Sequence, residues 1–165
     1  MKRGEDLEVL ETNKDKPKIM FKKIFNKLFK KTEVMSFKQG FDLTEMPIIT
    51  LYQKEKKFNF LLDTGSNRNI IDKNILSQIE YDTLEDKASL MESDGRHKEL
   101  SLCTITLSYK DKEYKYDYII KDLNLAFNTI KQNTGVNLHG IIGSMFFNEY
   151  KYVLDFDELI AYSKM

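Results

Sequence analysis

From residue 34 onward, apolar side chains recur mostly at every second position, the spacing of strands with one buried face. The stretches "VMSFKQGFDL" and "MPIITLYQ" predict strands, "QKEK" a polar turn, and "KFNFLLDT" a third strand with Phe58, Phe60 and Leu62 on one face. A short strand "NII" follows, and Asp72 is placed to cap a short helix in "KNILSQI". In "ASLMESDGRHKELSL", Asp94-Gly95 between extended segments predicts a hairpin tip. "LCTITLSY" and "EYKYDYII" alternate on either side of a "KDK" turn, the second through Tyr114, Tyr116, Tyr118 and Ile120. "LNLAFNTIKQ" predicts a helix, "LHGIIGSMFFNEY" an apolar strand running into another, and "KYVLDF" and "LIAYS" a closing strand pair. The expected architecture is mostly β with two or three short helices.

Residues 1–33 follow a different rule. The first sixteen or so are polar and aperiodic, the pattern of a disordered start. "KPKIMFKKIFNKLFKK" then places Ile19, Met20, Phe21, Ile24, Phe25, Leu28 and Phe29 in one stripe at helical spacing, opposite six lysines unaccompanied by any acid. Such a basic amphipathic helix, residues 18–31, suits an anionic membrane surface. It equally suits docking of the stripe on the folded body or on a partner subunit, with the lysines in water.

The chain is 165 residues long, enough for one well-filled domain, here expected at 34–165 with residues 1–33 as an extension. Formal net charge is zero, but residues 1–33 hold ten Lys/Arg against six Asp/Glu, and the rest sixteen against twenty. A mildly acidic body argues against a nucleic-acid partner. Cys103 is the single cysteine, on the apolar side of an alternating run, so it is expected to be a packed thiol in a reducing, cytoplasmic setting. No apolar core of a secretory signal is evident at the start, and no window approaches the ~20 apolar residues that cross a bilayer.

The stretch that carries chemistry is "FNFLLDTGSNRNIID". An apolar strand runs directly into Asp63-Thr64-Gly65-Ser66, and a carboxylate at the end of a buried strand is either a turn residue or a working one. Other candidates are weaker. His97 and His139 lack metal-ligand spacing and are expected at the surface or in turns. Neither Ser66 nor Ser144 has a local base, and no glycine-rich phosphate loop is present.

Leu61-Leu62-Asp63-Thr64-Gly65-Ser66, a candidate flap around Ser93 to Arg96, Ile141-Ile142-Gly143, "SMFFNEY" and "KYVLDF" occur in that order. In this order and spacing the chain resembles the retropepsin-like aspartic proteases, over about residues 40–160. The resemblance implies a closed β-barrel lobe with one or two short helices, and an endopeptidase that needs neither metal nor cofactor. Two close carboxylates cannot both stay ionised; they share a proton, so one can activate water while the other protonates the scissile carbonyl. The chain holds one Asp-Thr-Gly, so the second carboxylate is expected from another copy, in a homodimer with the site on its two-fold axis.

By the same resemblance Asp63, Thr64 and Gly65 form the catalytic loop, with Thr64 bonding across the axis and Gly65 admitting a close backbone. Ser66 would donate to Asp63, and Ser93, Asp94 and Gly95 would close over an extended peptide. Ile141, Ile142 and Gly143 would support the loop. Asn67 and Ser144 stand where retroviral members carry an ion pair, which leaves Arg68 and Glu149 as candidates for a different tie. An idle peptide-binding dimer of this fold, and a membrane-surface adaptor working through residues 18–31, are the alternative readings. The change of composition near Thr32-Glu33 marks the extension as removable, by the enzyme itself if it is one.

Overall fold

A computed structural model describes residues 34–91 and 95–164; the expected disordered start and basic helix, and the flap residues Ser93 and Asp94, lie outside them. The described chain runs β1 (Val34–Ser36), α1 (Lys38–Thr44), β2 (Ile48–Gln53), β3 (Lys56–Asp63), β4 (Asn69–Asp72), a 3-10 turn (Lys73–Ile75), β5 (Asp82–Met91), β6 (His97–Tyr109), β7 (Lys112–Lys121), α2 (Asn124–Thr134), β8 (Gly140–Gly143), α3 (Ser144–Glu149), β9 (Tyr152–Asp155) and β10 (Ile160–Ser163).

Seven strands form one sheet in the order β2-β3-β8-β4-β7-β6-β5, and Tyr52 of β2 also pairs with Ser108 of β6. Six of the seven therefore close into a ring, with β5 hanging from its edge. β1, β10 and β9 make a second, three-stranded antiparallel sheet. Two pairings are parallel: β3 with β8, and β4 with β7. The mostly β architecture is as the alternation predicts, and the three α-helices among the described residues are all short.

The period-two pattern fixes which side chains fill the ring. Phe58, Phe60 and Leu62 of β3 face inward and meet Ile71, Ile105, Leu107, Tyr114, Ile142 and Phe146. Each fully buried side chain of this size contributes about 1.5–3 kcal/mol. The alternate residues of the same strands face outward, where Leu61 and Ile141 join Ile48, Phe127 and Leu138 beneath α2. β3 and β8 thus have apolar packing on both faces, which makes them a stiff pair. Cys103 is fully buried in the main core, and burial pushes its thiol up to about 12, so it is an inert packing group.

One strand expectation needs correction. "VMSFKQGFDL" is not one strand, because only Val34–Ser36 is extended and residues 38–44 form α1. The helix starts where the Phe41 N–H reaches the Phe37 carbonyl, and those two rings pack edge-on against Phe156 from the β9–β10 turn. His139, expected at the surface or in a turn, lies half-buried in the loop that leads into β8. Its ring packs edge-on against Phe58, and its Nδ1 accepts the Asn59 backbone N–H at 2.8 Å. Burial pushes its pKa below the usual imidazole value.

Candidate active site

β3 ends at Asp63 because its inward alternation is complete at Leu62 and the chain then turns. Asp63 Oδ1 accepts the Gly65 N–H at 2.9 Å, and the Asp63 carbonyl accepts the Ser66 N–H at 3.2 Å. An acid bonding its own backbone two residues on is an ordinary way to make a turn. It occupies one carboxylate oxygen from below, on a side chain that is half-exposed rather than sealed in the core.

The loop after Asp63 is locked from several directions. The Ser66 hydroxyl donates to the Arg68 carbonyl at 2.7 Å, and the Ser66 carbonyl accepts the Ser144 N–H at 2.8 Å. In parallel register Asp63 stands opposite Gly143, with Leu61 opposite Ile141 and Leu62 opposite Ile142. The Gly143 N–H donates to Oδ1 of the buried Asn69 at 2.9 Å. A side chain at 143 has no room: its Cβ would lie 2.5 Å from the Arg68 carbonyl oxygen and 2.7 Å from that of Ser66. Glycine is required there by close approach rather than by its backbone angles.

The structure therefore brings Asp63, Thr64, Gly65 and Ser66 together with Ile141, Ile142 and Gly143. Ile142 belongs to the inner core and Ile141 to the outer cluster, so both hold β8 beside β3. The Ser66 hydroxyl donates to the Arg68 carbonyl rather than, as the resemblance had implied, to Asp63. Gly95 lies exposed between β5 and β6, with a positive φ of 80°. The β5–β6 hairpin begins at Asp82, well before the expected "ASLM", and its register shifts between Leu84 and Lys87.

Asn69 and Tyr116 escaped the sequence reading. An amide opening the otherwise apolar run "NII" was the available signal for Asn69. Glu149 does not pair with Arg68 in an ion pair among the described residues; it sits beside the Tyr116 hydroxyl. Burial raises the Tyr116 pKa, Glu149 raises it further, and the Arg68 guanidinium opposes the shift. On the far side of β4, the buried Asp72 caps the 3-10 turn through the Asn74 N–H at 3.2 Å, as expected, and also accepts the Leu123 N–H at 3.3 Å.

No protein-family model matches the sequence, and no curated protein matches it. Among solved structures, the chain is similar to EIAV protease complexed with the inhibitor HBY-793, with a TM-score of 0.45 and 14% identity over 66% of this chain and 90% of that one. It is also similar to a retropepsin-like aspartic protease from Rickettsia conorii, with a TM-score of 0.46 and 15% identity over 80% of this chain and 90% of the other.

Proposed function

We propose that this protein is an aspartic endopeptidase that works as a homodimer, each copy supplying one Asp63. The observation that carries the reading is the half-exposed Asp63 carboxylate at the end of a buried strand, on a loop held by the Ser66–Ser144 and Asn69–Gly143 hydrogen bonds. A turn alone needs only one acceptor oxygen, which Asn would supply without the cost of a charge. So much rigid support for an acid suits a group whose position matters to chemistry.

In this reading two Asp63 side chains meet and hold one proton between them. The ionised one takes a proton from water, whose oxygen attacks the scissile carbonyl carbon; the protonated one gives its proton to the carbonyl oxygen. The tetrahedral diol then collapses: one diol hydroxyl returns its proton to the carboxylate that had protonated the carbonyl, the C–N bond breaks, and the proton taken from water passes to the leaving amine. Thr64 and Gly65 shape the loop at the axis. The β5–β6 hairpin closes over the substrate, and Ser93, Asp94 and Gly95 are its flap residues in this reading. β5 is an edge strand of the large sheet, and an extended peptide can add its backbone hydrogen bonds beside such an element. Residues 34–165 are the protease domain of this reading, and a reducing cytoplasm its setting.

The test is a peptide-library digest at mildly acidic and at neutral pH, wild type against Asp63→Asn. Cleavage by the wild type alone is the expected result, and equal cleavage by both proteins would remove the proposal.

A further inference from the structure

A cleft of about 360 Å3 opens on the flank of the Asp63 loop. Its floor is β6 and β7, and its rim carries Arg68 just beyond the loop, Lys115 and Asp117 on β7, and Met145 and Glu149 on α3. The cleft holds two cations and two acids, but their hydrogen bonding is unequal. Asp117 accepts the Thr104 hydroxyl at 2.6 Å, and Glu149 lies beside the Tyr116 hydroxyl. Neither Arg68 nor Lys115 has an ion pair or a side-chain hydrogen bond among the described residues. Both cations of this cleft are thus without a fixed partner among the described residues, while each acid, still charged, already accepts one hydroxyl.

Arg68 is also held at its backbone. Its carbonyl is gripped by the Ser66 hydroxyl and packs against Gly143, so the side chain starts from an immobile backbone. Gly143 is in turn the strand partner of Asp63. Two strand spacings, about 10 Å, separate Arg68 from the acid, a distance spanned by roughly three residues of extended peptide.

We infer that this cleft selects peptides carrying an acidic side chain two or three residues from the scissile bond, with Arg68 as the residue that recognises it. A guanidinium presents a planar fork that matches a carboxylate with two parallel hydrogen bonds, and Lys115 adds a second positive charge behind it. Met145, which is 42% exposed, gives the stem of a Glu side chain an apolar surface to lie on. The inference rests on the protease reading for its substrate and names what that substrate contains.

The test uses fluorescent peptides in matched sets, with Glu, Gln or Lys scanned through the positions on both sides of the bond. Binding is read by anisotropy on Asp63→Asn protein, and kcat/KM by cleavage with the wild-type loop. The expected result is one position where Glu is favoured over Gln by about tenfold. Arg68→Gln abolishes that preference, and Arg68→Glu turns it toward Lys at the same position, a reversal that no merely structural role produces. An unchanged Glu/Gln ratio in Arg68→Gln, or no preference at any position in a protein that cleaves, overturns the inference and leaves the protease reading standing. A Glu preference in binding without any cleavage by the wild type does the reverse.

Discussion

Asp63 and Gly143 stand opposite each other at the ends of two parallel strands, β3 and β8, that are 80 residues apart in the chain by their numbers. Gly143 touches the carbonyls of Ser66 and Arg68, so the residue facing the acid is also the one that sets the loop's height. The position of Asp63 is thereby fixed by backbone contacts on both sides.

Replacing that glycine tests the clamp. Gly143→Ala forces a Cβ to within 2.5 Å of a backbone oxygen that cannot swing away. The expected cost is about 2–3 kcal/mol, read as a lower urea midpoint, together with loss of any Asp63-dependent cleavage. A variant as stable as the parent would mean that the loop is free to move.

Asn69 is 1% exposed, and its side chain satisfies the buried Gly143 N–H. Asn69→Ala strands that donor, and the expected destabilisation is about 1–3 kcal/mol. Amide hydrogen exchange adds a local readout, with protection falling at Gly143 and Ser144.

His139 predicts a pH dependence whose sign follows from its surroundings. Its folded pKa is held below the ordinary value by burial, and its Nδ1 lone pair is used by the Asn59 N–H. The unfolded chain therefore takes up a proton first as pH falls. The stabilising contribution of the neutral ring is fully present above about pH 6.5 and is lost progressively below it. Thermal melts from neutral to mildly acidic pH should show a fall in Tm for the parent and a flatter profile for His139→Gln. Parallel profiles would remove His139 from this role.

Cys103 should behave as core. With its thiol pushed up to about 12, roughly one molecule in ten thousand carries the thiolate at pH 8. Native protein should resist a thiol reagent for as long as it stays folded and react stoichiometrically in denaturant. Rapid native labelling would contradict the packing described here.

What the sequence reveals and conceals follows from the range of each interaction. β2, β3, β6 and β7 are legible because one face of each is the more deeply buried and the chain alternates accordingly, while β4, buried at all four positions, is legible as a short apolar run. α1 is hidden because Met35, Phe37, Phe41 and Leu43 all fall on odd positions, which imitates a strand; only the four-residue step from Phe37 to Phe41 belongs to the helix. β5 starts early because charged residues such as Asp82, Glu85 and Asp86 suit an exposed edge yet give no apolar period. Asp63 and its loop are legible as a local motif. The partners that hold them are not: Asn69 reaches Gly143 across 74 positions, and Asn59 reaches His139 across 80. Alternation records burial, and it carries no information on which distant groups meet.

Mixing two proteins tests the shared carboxylate pair most directly. Wild type and Asp63→Asn, which keeps the Asn-compatible turn and is expected to melt like its parent, are equilibrated in equal amounts at fixed total concentration. If each site needs an Asp63 from both copies, random pairing leaves about a quarter of the wild-type rate on a cleavable peptide. A rate of one half would mean that each chain works alone, and would contradict the account.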